Sequence, residues 1–166
     1  MAAIADNAWS VLEGQADVVD AVLAASRVFV AVASNAIAET APDVTLPQFR
    51  ALVLLDIHGP MTVAHLAEAL SVAPSTASRM CERLVAKKLI RRAVDRSNRR
   101  QVRLGLRAEG RALIAASTRR RRQEIARLLR AIRPADQARL AAALRVLVQA
   151  AQAEDRTRPN PVTPRR

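Results

Sequence analysis

Leu66-Ala-Glu-Ala-Leu-Ser-Val-Ala-Pro-Ser-Thr-Ala-Ser-Arg79 is the stretch on which the fold turns. Leu66, Ala67 and Leu70 recur at helical spacing, and Ser71-Val72-Ala73 interrupts them. Pro74 suits the first position of a second helix, where a missing N–H costs nothing. The reading is two short helices joined by a tight turn. At about 100° per residue, Ala77, Met80, Cys81 and Leu84 share one face of the second helix. Ser75, Arg79, Glu82, Arg83 and Ala86 lie opposite, with Thr76 and Ser78 on the flanks.

That outer face has a specific chemistry. Small side chains let a helix sink into a major groove, where arginine can hold guanine O6 and N7 with two parallel hydrogen bonds. Hydroxyls can take phosphates or base edges. Ser75, Thr76, Ser78, Arg79, Arg83 and Lys87 are therefore the candidate DNA contacts of this helix. Beyond it, Leu89–Ala93 and Gln101–Leu106 read as two short strands, Val102, Leu104 and Leu106 alternating with polar or small residues. Residues 94–100 form the hairpin tip. Arg96, Arg99 and Arg100 there suit a narrow minor groove or its flanking backbone. Asp95 reads as a brace for one of them, since a carboxylate facing phosphate is repelled. Between Arg79 and Arg111 stand 12 Lys or Arg against 3 acids.

Upstream, Thr45 and Gln48 form a capping box for a helix ending at His58-Gly-Pro60, with Val44 placed to staple onto Phe49. Phe49, Leu52, Val53 and residues 55–57 are its expected core face. Thr62 caps the next helix, whose Val63, Leu66, Ala67 and Leu70 point inward. Residues 5–39 contain no proline and are apolar around much of a helix circumference, as suits burial between two neighbours, one of them a second subunit. Downstream, a helix from Ala108 to Arg133 carries Leu113, Ala116, Ile125, Leu128, Leu129 and Ile132 as its stripe. A last helix over residues 135–153 carries Leu140, Leu144, Leu147 and Val148. Arg119 to Arg122 circle the former helix and are expected to be solvated or ion-paired. Residues 155–166, with three prolines, are expected to be disordered.

Composition narrows the function. Net charge is +12, yet residues 1–78 hold 2 basic and 8 acidic side chains, so the polyanion surface belongs to the later half. No apolar run is expected to span a bilayer, no signal peptide is evident, and a single cysteine fits a reducing cytoplasm. His58 and His65 lack the company of a metal site, and no cofactor is implied. A nucleophile elbow, a phosphate-cradling glycine loop and paired catalytic carboxylates are all missing, which argues against an enzyme. The remaining alternative to an operator-specific regulator is a nonspecific or architectural nucleic-acid binder.

In order and spacing, these motifs resemble the MarR family of bacterial winged helix-turn-helix transcriptional regulators, over about residues 8–150. Residues 46–52 resemble the family's second helix and residues 66–79 its helix-turn-helix. Asp95 to Arg100, then Val102, Leu104, Leu106 and Gly110, resemble the wing and the start of the fifth helix. The implied fold is mainly α with a small β-hairpin wing. Residues 1–45 would be a dimerisation helix and linker, 46–107 the winged head, 108–153 dimerisation helices and 154–166 a disordered tail. The resemblance implies a homodimeric repressor on a near-palindromic double-stranded operator, half-sites about 34–36 Å apart. In many members a small-molecule effector or oxidant alters the spacing of the heads. Family architecture nominates Arg27, Phe29, Phe49 and Arg50 for an effector pocket.

Four positions depart from the family pattern. Ala73 stands where a serine commonly caps the recognition helix, forgoing about 0.5–2 kcal/mol. Arg107 replaces a usual threonine cap, and Ser71 and Lys88 occupy positions that favour glycine. Redox-sensing relatives carry a reactive cysteine near the start of the first helix, and this chain has none there. Cys81, on an inner face, reads as a small core residue.

Overall fold

A computed structural model describes residues 2–94 and 101–157, with side chains described for 15–94 and 101–154. The order is α1 (Ala2–Thr40), α2 (Leu46–His58), α3 (Val63–Leu70), α4 (Pro74–Ala86), β1 (Ile90–Val94), β2 (Val102–Leu106), α5 (Ala108–Leu129) and α6 (Pro134–Thr157). The fold is mainly helical with a two-stranded antiparallel hairpin, in the register Ile90↔Leu106 through Val94↔Val102.

Local chemistry sets the helix starts. The Thr45 hydroxyl accepts from Gln48 N and the Gln48 side chain accepts from Thr45 N, completing the capping box. Val44 and Phe49 are both buried in one cluster, as a staple requires. The Thr62 hydroxyl accepts from His65 N at 3.2 Å. Ala73 and Arg107 give α4 and α5 no side-chain cap.

The ends of α3 and α4 share a device. Ser71 (φ 56°) and Lys88 (φ 59°) are both left-handed. Ser71 N donates to Glu68 O and Val72 N to Ala67 O. Lys88 N donates to Val85 O and Leu89 N to Leu84 O. Each pair of bonds is a Schellman closure, which ordinarily uses glycine at that turn.

Leu52, Leu66, Leu84, Ile90 and Leu104 are fully buried and form the centre of the head. Each such side chain contributes about 1.5–3 kcal/mol by leaving water. The hairpin is pinned to this core twice. Met61 and Leu104 exchange both backbone hydrogen bonds, at 3.1 and 2.8 Å, giving the hairpin a one-residue third edge. Arg107 N donates to Leu89 O at 3.0 Å. Gly110 then passes so close that an added Cβ would stand 2.4 Å from the Leu89 carbonyl oxygen and 2.7 Å from Leu106 Cδ1.

The head meets the long helices where α1 runs against α5. Val32, Ala36 and Ile37 are buried there. The Thr40 and Ser117 hydroxyls lie 2.6 Å apart, Ser117 fully buried, and Thr40 Oγ1 also donates to Ala36 O at 2.7 Å. Arg120 pairs with Glu39, its Nη2 donating to Glu39 Oε1 at 3.1 Å. The Arg121 guanidinium lies 5.8 Å from the Phe49 ring centroid. Of the arginine run, Arg120 is thus ion-paired as expected, whereas Arg121 packs against an aromatic ring.

Several expectations need correction. Ile57 is 69 % exposed, because the helix turns it outward after Leu55. Val102 is half exposed where β2 leaves the core for the hairpin tip. Helix α5 stops at Leu129 rather than Arg133. Its last carbonyls go to i−3-type bonds from residues 130–132 and to Gln137 Nε2, which donates to Leu129 O and Ile132 O at 2.9 Å. Helix α6 continues to Thr157, so residues 154–157 are helical and not a disordered tail; residues 158–166 lie outside the described residues. Residues 15–40 are, by length and composition, apolar enough to cross a membrane, contrary to expectation. Its most apolar 18-residue window has a mean hydropathy of 1.7.

Candidate nucleic-acid interface

Helix α4 is held by its inner face. Ala77, Cys81 and Leu84 are fully buried and Met80 nearly so, as the wheel requires. Burial pushes the Cys81 thiol up from its ordinary value, with nearby Arg92 opposing and Glu82 adding to the rise. The thiol is therefore protonated and unreactive near neutral pH.

The opposite face is open. Ser75, Thr76, Arg79 and Arg83 are exposed, so the fold presents them together along one side of a helix anchored from behind. Ser78 is half-buried, and its hydroxyl donates to Glu82 Oε1 at 3.2 Å. Lys87 does not join this face. Its Nζ donates to the Asp43 carbonyl, tying the end of α4 to the loop before α2. It lies seven residues past Met80, so at about 100° per residue it falls about 20° from that buried side chain rather than on the open face. The expected wing contacts Arg96, Arg99 and Arg100, and the brace Asp95, lie outside the described residues.

The strand β1 does contribute a cation. Arg92 Nη2 stands 3.8 Å from Glu82 Oε1, linking the base of the wing to α4. On β2, Arg103 Nη1 donates to Pro60 O at 3.3 Å. The sequence reading missed both links, since each joins residues distant along the chain. Among the described residues no group of three or more His, Cys, Asp or Glu could hold a metal.

The residues nominated for an effector pocket differ in their exposure. Phe49 is 4 % exposed and belongs to the core, while Arg27, Phe29 and Arg50 are exposed. A small cleft of about 100 Å³ lies instead between α1 and α5, lined by Val32, Asn35, Ala36, Glu39, Arg120 and Glu124.

Comparisons with known proteins agree with this geometry. A family model described as MarR family matches residues 44–102, which span α2 to the first residue of β2. The structure of RV1404 from Mycobacterium tuberculosis is 40% identical, covering 81% of this chain and 92% of that one, with a TM-score of 0.75. MepR, a transcription regulator of the Staphylococcus aureus multidrug efflux pump MepA, is 25% identical over 76% of this chain and 92% of its own, at a TM-score of 0.65. A MepR mutant bound to an oligodeoxyribonucleotide is likewise 25% identical, over 76% of this chain and 91% of its own, at a TM-score of 0.61. No curated protein matches the sequence.

Proposed function

We propose, since this chain belongs to the MarR family of winged helix-turn-helix transcriptional regulators, that it is a homodimeric, sequence-specific repressor whose operator binding is relieved by a small-molecule effector. That it is a DNA-binding transcriptional regulator follows from the family and its neighbours. The observation that carries sequence-specific reading is the division of α4 into a buried face and an open face of hydroxyls and arginines. In this reading α4 enters the major groove, where Arg79 reads guanine and Ser75 and Thr76 hold phosphate or base edges. The wing, with Arg96, Arg99 and Arg100 at its tip, lies along the minor groove.

Dimerisation is supported by apolar surface that a lone chain leaves in water. Val18, Val19, Val22 and Leu23 on α1 are 41–62% exposed, and Val146, Leu147 and Val148 on α6 are 46–66% exposed. A second copy would cover both sets and set two α4 helices about one helical turn apart on the duplex. The same pairing accounts for the apolar α1 without a membrane, since Val32, Ala36 and Ile37 are already committed to protein contacts. We place the protein in the cytoplasm with its DNA.

The test is selection of bound fragments from genomic DNA, followed by titration against the enriched duplex. Binding should weaken steeply with salt. Arg79→Ala should cost about 1–3 kcal/mol on the selected duplex and relax preference at the base it reads. Unchanged preference in that variant overturns the assignment of the reading face. Transcription from the selected promoter should fall when the protein is added.

A further inference from the structure

We infer that Glu82 is a specificity-determining residue that works by repulsion: it withholds Arg92 and Ser78 from phosphates and so penalises binding to DNA of the wrong sequence. The inference rests on the reading that α4 faces DNA. Glu82 is the sole carboxylate on α4, and the residues from Arg79 to Val94 otherwise carry only cationic charge. On the wheel it lies within about 20° of Ser75, two turns further along. It therefore shares the open face with the residues proposed to read bases.

Its two contacts point the same way. One carboxylate oxygen accepts from the Ser78 hydroxyl at 3.2 Å and stands 3.8 Å from Arg92 Nη2. The Glu82 and Arg92 side chains are 60% and 44% exposed, so the ion pair adds little stability. A contact that stabilises little, yet engages a hydroxyl and a cation beside the reading helix, has its consequence in binding. Against a polyanion, an approach held by phosphates alone needs Arg92 to leave the carboxylate, whereas one held by base contacts can keep the pair intact. Only a sequence that gives Arg79 its full set of base contacts avoids that cost. A glutamine of the same shape lacks the charge and would free Arg92 on any duplex.

The experiment compares wild type, E82Q and E82Q/R92Q on a duplex enriched by the wild type from a random pool and on a scrambled duplex of the same composition, over a range of salt. E82Q should bind the scrambled duplex roughly threefold to tenfold more tightly at moderate salt, with a salt slope steeper by about 1. The enriched duplex should gain less, so the ratio between the two falls. E82Q/R92Q should return the slope to the wild-type value. If E82Q leaves scrambled-duplex affinity and slope unchanged, or weakens both duplexes with an unchanged melting temperature, Glu82 is only a brace and the inference is overturned. If the wild type itself shows no salt-dependent duplex binding, the DNA-facing reading of α4 fails and takes this inference with it.

Discussion

Ser71 and Lys88 each hold a left-handed backbone that a Cβ crowds, at a cost of roughly 1–2 kcal/mol for a residue other than glycine. Glycine gives back part of that gain through its freer unfolded chain. Ser71→Gly and Lys88→Gly should therefore each raise unfolding stability by about 0.5–1 kcal/mol. Ala73→Ser should add about 0.5–2 kcal/mol by restoring a cap on α4. Urea melts of the three variants check this, and a loss of stability in either glycine variant would refute the strain argument. All three positions stood out in the sequence as departures from the family pattern, and a cap or a Schellman turn is decided within five or six residues. Lys87 was not readable in that way. Its positive charge at the end of the reading helix made it a candidate DNA contact, whereas its acceptor, the Asp43 carbonyl, arrives only when α2 packs. Residue-level chemistry is legible where the partner is local and opaque where folding supplies it.

At the scale of elements, the hairpin is the part most dependent on long-range closure. Its strands were identifiable from alternation and a basic tip, but not the Met61–Leu104 exchange that fixes its base. Nothing in the run Gly59-Pro60-Met61 marks one residue as a strand partner. Gly110 holds the other side. With the Leu89 carbonyl and Leu106 in the way of any Cβ, Gly110→Ala must push α5 off the hairpin. The expected cost is about 1–3 kcal/mol, the range for an overpacked site. The same variant should weaken DNA binding beyond its loss of stability, because the wing loses its fixed angle to α4. Equilibrium melts and duplex titrations at a temperature where both proteins stay folded separate the two effects. An alanine variant as stable as wild type would show that the close approach relaxes without cost.

The whole molecule is a well-packed head on long helices whose apolar sides face water in a single chain. Helical periodicity revealed those sides, and their excess over the needs of one head suggested a second subunit. What the sequence could not reveal is which residues α1 spends on α5 and which it leaves open. Burial divides them near Val32: Val32, Ala36 and Ile37 go inward, while Val18 to Val30 remain largely uncovered. If a second copy covers the open set, melting temperature should rise with protein concentration. Val22→Glu or Leu147→Glu should abolish that dependence and yield a smaller species in sedimentation. A concentration-independent melt in the wild type would count against an obligate dimer.

The Thr40–Ser117 clasp has a consequence in time as well as in space. Its two hydroxyls are 77 residues apart in the chain. At synthesis rates of about 5–20 residues per second, α1 precedes its α5 partner by roughly 4–15 s. During that interval the nascent chain offers water a long apolar helix with no match in its own sequence yet made. If a second copy covers α1 as proposed, a sister chain growing on the same message can occupy it first, and assembly then begins on the ribosome, before the head closes. Ribosome-bound nascent chains stopped short of Ser117 should then retain a tagged full-length copy, and should lose it when Val22 is glutamate.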